Sequence, residues 1–352
     1  MYYDWLRRED SYQSSRATGS TSIFMETNTL NPVFICGHPK AGTSLITALL
    51  DGHPAVVVYP EETLFFRRFL PAIQDKPFDD QLALAQKFLI HIFEWNQDNP
   101  PTHQKDFPDR DYADIPFEAI LEELSSFLAE LYSRPGDFLE GAVTAFGCVT
   151  GLMSGESRYW VEKSPYNEFF TEQIFEWWPG ACCIHIIRDP RDNFVSYQRK
   201  HPDWTAKQFA GNWVHSTQAG FDNQEKFGKE RYHIIRFEDL VSEPRESMSA
   251  VAGFLNLPWD DALLRPTRVG DSWRGNSMFA DRYQQVSTAP VGRWKEHIRP
   301  FDLAILQAVC KPVMVQAGYA LANVKLENLT FTQRTKLLKE GVLNQIKQRF
   351  FK

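Results

Sequence analysis

The sequence lacks any apolar run of the length, about eighteen residues, that a membrane-spanning helix requires. Its N-terminal residues, MYYDWLRREDSYQSSRATGS, are polar and charged and do not form the apolar core of a secretory signal peptide. Positive charge is not in excess either, since the formal net charge of the 352-residue chain is −7. This argues against a broad basic surface for nucleic acid. We therefore expect neither a transmembrane segment nor a nucleic-acid partner.

Cysteine is sparse and follows no pairing pattern. The five cysteines form no C-x-x-C motif, and most of them lie in apolar stretches: Cys36, Cys148, Cys182, Cys183 and Cys310. Buried, reduced thiols fit this pattern and favour a reducing compartment, so we expect a cytoplasmic protein. The sequence also has no HxxxH, HExxH or GxSxG motif. It therefore predicts neither a zinc site nor a hydrolase nucleophile.

Short apolar runs bounded by turn-forming residues alternate along the chain with segments of helical character. The runs that indicate buried strands lie at 32–36, 56–59, 159–162, 181–187 and 232–237. Such alternation predicts an α/β fold with a central parallel β-sheet flanked by helices. Residues 265–300 have few periodic apolar positions and are predicted to form an ordered loop.

A strand, a glycine-containing turn and a helix are predicted over 32–50, and together they are typical of an anion site. Backbone N–H groups at the start of the helix have no partner within it, and the helix dipole favours negative charge there. These groups belong to Gly42, Thr43, Ser44 and Leu45. Lys40 adds positive charge. It precedes Gly42, so the segment is not a Walker A loop, in which lysine follows the last glycine.

The segment HPKAGTSLI, residues 38–46, resembles the 5′-phosphosulfate loop of sulfotransferases that use 3′-phosphoadenosine 5′-phosphosulfate (PAPS). The resemblance implies a P-loop-like sulfotransferase fold. It also implies that Lys40, Ala41 and the helix start bind the 5′-phosphosulfate, and that 3′,5′-adenosine bisphosphate (PAP) is the product. No metal ion is implied, because lysines and backbone amides can neutralise the leaving phosphate.

A second segment, IIRDPRDNFVSY at 186–197, resembles the 3′-phosphate motif of the same family. Arg188 directly follows a predicted central strand, at the edge of an α/β sheet where ligands usually bind. Ser196 lies two turns into the helix that follows. An arginine fork and a hydroxyl can hold one phosphate together. We leave Arg191 out of the predicted site, because neighbouring aspartates can pair with it.

Two later segments also resemble the family. IRFEDL, at 235–240, is similar to the R-[YF]-E-D-L end of a family strand, and VGRWK, at 291–295, is similar to a loop that covers the cofactor. The second resemblance implies that Arg293 reaches the 3′-phosphate. Trp294 joins the predicted cofactor site either beside the adenine or as an anchor of this loop, and we favour the anchor.

The segment LLDGHPAVVVYPEET, at 49–63, resembles the tyrosylprotein sulfotransferases most closely. In that branch the second glutamate of EET is the proposed base, and it corresponds to Glu62, with Glu61 as the reserve. An alternative interpretation makes both glutamates N-terminal charges of a helix predicted over 61–74.

Two lysines complete the predicted catalytic set. Lys163 lies at the end of a predicted strand and resembles a lysine that the family uses to stabilise the transition state, while the alternative is a surface lysine. Lys40 would neutralise the leaving phosphate. Phe237 and Gly292 stand where the tyrosylprotein branch has tyrosine and serine. The hydroxyl acceptor therefore stays open among protein tyrosine, carbohydrate, lipid and small phenol.

We divide the chain into a flexible polar leader (1–30), a sulfotransferase catalytic domain (31–320) and a basic amphipathic C-terminal extension (321–352). The extension has an apolar stripe that would pack on the domain or a partner chain, with an anionic membrane as the alternative. A homodimer is one candidate assembly. Two rival functions are also considered: a P-loop-type kinase or nucleotide hydrolase, and a non-catalytic nucleotide-binding protein.

Overall fold

We describe the protein from a computed structural model. The described residues are 30–91, 112, 115–279, 281–283, 285–324 and 329–339. Nearly all of the predicted N-terminal leader and the end of the predicted C-terminal extension lie outside these residues.

The centre of the fold is a parallel sheet, which confirms the predicted α/β class. Within the described residues its five strands are β1 Asn31–Cys36, β2 Val56–Val58, β3 Tyr159–Lys163, β4 Cys182–Ile187 and β5 Tyr232–Arg236. Their spatial order is β2-β3-β1-β4-β5. The chain therefore continues to one side of β1 for β2 and β3, and to the other side for β4 and β5. A crevice at the carboxyl end of such a central strand is the usual ligand site of an open α/β sheet.

Helices cover both faces of the sheet. In chain order they are α1 Thr43–Leu50, α2 Leu70–Ile73, α3 Phe78–Ala85, α4 Phe117–Leu131, α5 Gly136–Val149, α6 Thr171–Trp177, α7 Pro190–Lys200, α8 Ala206–Phe227, α9 Phe237–Ser242, α10 Pro244–Phe254, α11 Trp294–His297, α12 Pro300–Gln316 and α13 Phe331–Lys339. None of the helices in the described part combines the length and the apolar character of a membrane span.

Alternate residues of each strand point to opposite faces, and different helices bury each face. Phe34 of β1 and Trp160 of β3 are fully buried in a cluster with α4 and α5. Their neighbours Ile35 and Val161 are fully buried in a second cluster with α1 and α10. Burial on both faces explains why these strands appear in the sequence as continuous apolar runs.

Two sequence predictions about local structure need correction. The helix predicted over 61–74 begins later, with a π-helical turn at Phe65–Phe69 that leads into α2. Leu64 precedes that turn with a left-handed backbone (φ 49°), which sets the helix start apart from the glutamates. The loop predicted over 265–300 contains α11 and a short hairpin of β6 Thr267–Arg268 and β7 Asp271–Ser272.

The start of the predicted C-terminal extension packs on the rest of the fold. Leu337 of α13 is fully buried, in a third cluster that it shares with side chains of α8 and α12. Leu337 therefore anchors this helix to the domain.

Candidate active site

A cavity of about 390 Å³ lies at the carboxyl end of β1 and β4. Most of the residues that the sequence singles out contribute to its wall: Lys40, Gly42, Thr43, Ser44, Leu45, Glu61, Glu62, Arg188, Ser196 and Arg293. Ala41 and Trp294 do not belong to this wall, and Lys163 lines a smaller cavity beside it, of about 60 Å³. Within the described residues, no group of three or more histidine, cysteine, aspartate and glutamate side chains could hold a metal ion.

The loop between β1 and α1 is held in a conformation that needs glycine at two positions. Gly37 has a φ of 132°, and a Cβ there would lie 2.5 Å from the carbonyl oxygen of Ile186. Gly42 has a φ of 113°, and a Cβ there would lie 2.4 Å from the ring of Phe237. Lys40 also has a left-handed backbone, with a φ of 67°. This tight turn brings the loop directly over the ends of β4 and β5.

Three side chains from other parts of the fold fix the same loop. The Glu168 carboxylate accepts the Gly37 N–H at 2.9 Å, and the Asn193 side-chain amide donates to the Pro39 carbonyl at 2.9 Å. Arg188 donates to the Lys40 carbonyl at 3.0 Å. The loop is therefore held at its first residue, Gly37, and at Pro39 and Lys40 in its middle.

One predicted donor of the helix start is used within the loop. The Leu45 N–H donates to the Gly42 carbonyl at 2.9 Å, although the sequence places it among the groups facing an anion. The Ser44 hydroxyl lies in the cavity wall and accepts the side-chain amide of Asn276 at 3.2 Å. Asn276 belongs to residues 275–294, which we call the late loop, so the late loop touches the phosphate loop directly.

Arg188 lies between the phosphate loop and the late loop. Its side chain is buried, and its guanidinium lies 4.4 Å from the centre of the Phe237 ring. One terminal nitrogen donates to Lys40, and the other donates to the Pro290 carbonyl at 2.9 Å. The Nε atom is buried and has no hydrogen-bond partner among the described residues. The Nε–H group of Arg188 is therefore a buried donor that no described residue uses.

Burial also changes the electrostatics of this arginine. Desolvation lowers the pKa of the Arg188 guanidinium, while the nearby carboxylates of Asp192 and Glu238 raise it. Ser196, two turns into α7, lies in the wall of the same cavity. Arg191 instead pairs with Asp189 at 2.5 Å, which confirms the prediction that a neighbouring aspartate pairs with it.

The late loop carries Arg293 into the cavity wall. Its guanidinium donates to the Asp281 carboxylate at 2.8 Å and lies 4.2 Å from the centre of the Phe279 ring. Trp294 points elsewhere, because its ring lies 4.3 Å from the Arg191 guanidinium. Of the two roles considered for Trp294, the structure fits the anchor.

Glu62 and Lys163 form an ion pair of 2.5 Å beside the main cavity. The Lys163 side chain is 10% exposed, so it is not the surface lysine of the alternative interpretation. The Glu62 side chain is 39% exposed and borders both cavities. The Glu62 carboxylate is therefore accessible from the cavity and is held in place by its ion pair with Lys163.

Glu61 has a different environment. It is buried, pairs with Arg268 at 2.7 Å and accepts the Tyr112 hydroxyl at 2.7 Å. Neither Glu61 nor Glu62 lies in a helical first turn, because the helical segment begins at Phe65. This is against the interpretation of both residues as helix N-terminal charges. Glu61 is engaged in structural contacts, and Glu62 is the more accessible carboxylate.

A buried carboxylate next to Lys163 holds the Glu62 segment in place. Glu162, at the end of β3, is fully buried and accepts the Thr63 hydroxyl at 2.8 Å. It also accepts the Ser164 hydroxyl and the Asn167 side-chain amide. Burial raises the pKa of Glu162, while these three hydrogen bonds lower it. We expect the network to align Glu62 with Lys163, because it joins the residues next to both.

Sequence reasoning missed several residues of the cavity wall, and some of these are aromatic or basic: Arg67, Tyr166, Tyr197, Trp273 and Phe279. Tyr166 has a left-handed backbone (φ 73°), and the Arg67 guanidinium lies 4.9 Å from its ring centre. The only sequence signal for Tyr166 is its place just after a strand end and a proline. Phe279 lies in a loop without periodicity, where no signal points to it.

The comparisons with known proteins agree with this geometry. A family model described as the Sulfotransferase family matches residues 32–261. Protein-tyrosine sulfotransferase A of Caenorhabditis elegans is 26% identical over 238 residues, which cover 66% of this chain and 51% of that protein. The Drosophila melanogaster protein-tyrosine sulfotransferase is 24% identical, over 66% of this chain and 39% of that protein. The alignments thus span about half or less of these relatives.

Solved structures support the same fold. The sulfotransferase domain from the Synechococcus PCC 7002 olefin synthase covers 86% of this chain and 100% of its own, with 21% identity and a TM-score of 0.57. The sulfotransferase domain from the curacin biosynthetic pathway covers 84% of this chain and 100% of its own, with 20% identity and a TM-score of 0.53. Since the family model matches well over half of the sequence, this chain belongs to the sulfotransferase family.

Proposed function

We propose that this protein transfers the sulfuryl group of PAPS to an acceptor hydroxyl by in-line displacement and releases PAP. One observation carries the proposal: the phosphate loop, Arg188 and Glu62 border a single cavity of about 390 Å³. Two anion anchors and a carboxylate are the groups that sulfuryl transfer from a doubly phosphorylated donor requires. Membership of the sulfotransferase family supports the same reaction class.

Two features support the fit of the donor. The buried Nε of Arg188 has no partner among the described residues, so a phosphate would satisfy it. The left-handed backbone at Lys40 and Gly42 is typical of loops whose N–H groups form a concavity for anions. In this proposal Lys40 and the start of α1 hold the 5′-phosphosulfate. Arg188, Ser196 and Arg293 hold the 3′-phosphate.

The donor supplies an activated sulfuryl group. Glu62 takes the proton of the acceptor hydroxyl while the new bond from oxygen to sulfur forms and the bond from sulfur to the 5′-phosphate oxygen breaks. Lys163, 2.5 Å from Glu62, orients this carboxylate and adds positive charge beside the reacting groups, which fits the transition-state role that the resemblance implies. Lys40 and the helix start neutralise the charge that develops on the leaving phosphate.

The proposal also covers the compartment, the assembly and the acceptor of this protein. The thiols of Cys36, Cys183 and Cys310 are buried in the core, which supports a reducing, cytoplasmic environment. A homodimer stays a prediction. The names of the protein-tyrosine sulfotransferase relatives favour protein tyrosine as the acceptor. Human carbohydrate sulfotransferase 1 favours a sugar instead; it is 30% identical over 161 residues, which cover 40% of this chain and 39% of that protein. Both classes belong in an acceptor screen.

Calorimetric titration tests donor binding without knowledge of the acceptor. The protein is titrated with PAP and, as the control, with 5′-AMP, both in EDTA. We expect PAP to bind about tenfold or more tightly than 5′-AMP, because a charge-assisted phosphate contact is worth about 1.5–3 kcal/mol. Equal affinity for the two nucleotides would contradict the proposed 3′-phosphate anchor.

Two further outcomes would favour the rival functions. Nucleotide hydrolysis that requires magnesium would indicate a kinase or hydrolase. PAP binding without label transfer from PAPS to a panel of tyrosine peptides, sugars, lipids and phenols would favour a non-catalytic nucleotide-binding protein.

A further inference from the structure

Asp192 holds the backbone on both sides of Arg293. It is the third residue of α7, and only 2% of it is exposed. One carboxylate oxygen accepts the Gly292 N–H at 2.7 Å, and the other accepts the Trp294 N–H at 2.7 Å. A single buried carboxylate therefore accepts the backbone N–H groups of the residues before and after the arginine that is predicted to contact the 3′-phosphate.

Other contacts of α7 and Arg188 with the late loop do not hold the backbone next to Arg293, although Arg199 shares the Phe279 ring with the Arg293 guanidinium. Arg188, just before α7, donates to the Pro290 carbonyl, and Arg191 lies against the Trp294 ring. These contacts hold the late loop near the helix. The two hydrogen bonds of Asp192 are different, because they fix the direction in which the Arg293 side chain leaves the backbone.

We propose that Asp192 is a positioning residue for the donor, which acts by directing Arg293 into the main cavity. In the sequence, Asp192 is one of the two aspartates next to Arg191 and has no other visible partner. The structure gives it two backbone donors from a loop a hundred residues away. The inference rests on the proposed function, because the position of Arg293 matters to the donor only if a 3′-phosphate binds there.

The charge of Asp192 makes the inference testable by the sign of an effect. Burial raises the pKa of Asp192, while Arg188 and the two N–H groups lower it. A carboxylate close enough to Arg188 to affect its pKa would also repel a phosphate bound by that arginine. If charge alone mattered, removing it would strengthen PAP binding. If Asp192 positions Arg293, removing it weakens PAP binding.

Asp192→Asn separates these two effects. The asparagine is nearly isosteric, but its amide has one acceptor oxygen and an NH₂ group that would face a backbone N–H. Calorimetry with PAP and 5′-AMP gives the ratio of the two affinities for the wild type and the variant. We expect the dissociation constant of PAP to rise about tenfold, while that of 5′-AMP changes less than about twofold. Asp203→Asn, at an exposed carboxylate just after α7, is the matched control.

A second comparison tests whether Asp192 acts through Arg293. In the Arg293→Lys background, the change Asp192→Asn should alter the PAP to 5′-AMP ratio by less than about twofold. An unchanged ratio in the single variant Asp192→Asn, or tighter PAP binding, would overturn the inference. A full effect in the Arg293→Lys background would overturn it as well.

The design also separates failure of the inference from failure of the proposed function. If the wild type does not prefer PAP over 5′-AMP, the proposed function fails. If the wild type prefers PAP and Asp192→Asn keeps that preference, only the positioning role fails. Should Asp192→Asn fail to fold, Gly292→Ala disturbs the same contact from the other side. A Cβ at this position would make only an ordinary contact with Lys295, at 3.9 Å, but the φ of 77° is unfavourable for alanine. We expect Gly292→Ala to reduce the preference for PAP over 5′-AMP, as Asp192→Asn should.

Discussion

The two halves of the cavity are built in different ways. Lys40, Glu62, Lys163 and Arg188 each lie at the end of a strand of the parallel sheet or a few residues beyond it, and we call them the strand-end half. The loop half is the late loop, residues 275–294. Its described residues contain no strand, and it reaches the cavity through contacts with α7 and the phosphate loop. The strands of the sheet place the first half, and side-chain contacts then hold the phosphate loop and the Glu62 segment against them. The second half has no such strand and is held by its contacts with α7 and the phosphate loop.

This difference leads us to expect two sizes of mutational effect. A group at a strand end keeps its position when a neighbour changes, so its removal deletes its own chemistry. A group in the loop half depends on each contact that holds it, and each contact is worth little alone. We therefore expect large, specific losses in the strand-end half and smaller, shared losses in the loop half.

The largest effect is expected for Glu62→Gln in the strand-end half. Loss of a general base costs about 10²–10⁴-fold in kcat, while PAP binding should stay unchanged because Glu62 is assigned to the acceptor side. Turnover is measured by label transfer from PAPS, with Glu156→Gln at an exposed turn as the control. Normal turnover in Glu62→Gln would remove Glu62 from this role.

A smaller, pH-dependent effect is expected for His38 in the phosphate loop. Burial lowers its pKa from 6.5 to about 4, and its ring lies among Tyr166, Tyr197 and Phe209. Between these two pKa values the unfolded chain binds a proton that the folded chain does not. Folding stability therefore falls as the pH drops through 6.5 toward 4.

His38→Asn removes this titration. From pH 7 to pH 5 the wild type should lose about 2 kcal/mol of unfolding free energy relative to the variant. Urea unfolding at both pH values measures the difference. Parallel changes in the two proteins would mean that His38 is not held neutral.

The smallest effect is expected for Phe279→Leu in the loop half. The Arg199 and Arg293 guanidinium groups lie 3.6 and 4.2 Å from the centre of the Phe279 ring. A cation–π contact at a partly exposed site is worth about 0.5–1 kcal/mol, so PAP affinity should fall about two- to fivefold. A loss as large as that of a direct phosphate ligand would mean that Phe279 itself contacts the nucleotide.

The sequence could predict the strand-end half because local patterns encode it. The apolar run before Gly37, the glycine at position 42 and the helix after it predict the phosphate loop, and Arg188 directly follows an apolar strand. The network around Glu162 could not be predicted in this way. It depends on Thr63 meeting a strand a hundred residues away, and no local pattern specifies that contact.

The contacts of the loop half are even harder to predict from the sequence. The motif around Arg293 could be recognised, but the partner that holds it could not, because Asp192 looks like a local partner of Arg191 in the sequence. The role of Trp294 also depends on tertiary structure, since its ring packs on Arg191 rather than lining the cavity. Contacts between distant segments decide which side of a loop faces a site.

The most direct test of the account titrates Lys40→Ala and Arg188→Lys with 5′-AMP and 3′-AMP in the same buffer. The account assigns Lys40 to the 5′ end of the nucleotide and Arg188 to the 3′-phosphate. Lys40→Ala should therefore weaken 5′-AMP binding about tenfold and change 3′-AMP binding less than about twofold. Arg188→Lys should weaken 3′-AMP binding more than 5′-AMP binding, with a smaller loss for 5′-AMP because Arg188 also holds the Lys40 carbonyl. Equal losses for both nucleotides in both variants, or the opposite pairing, would contradict the assignment of two separate anchors.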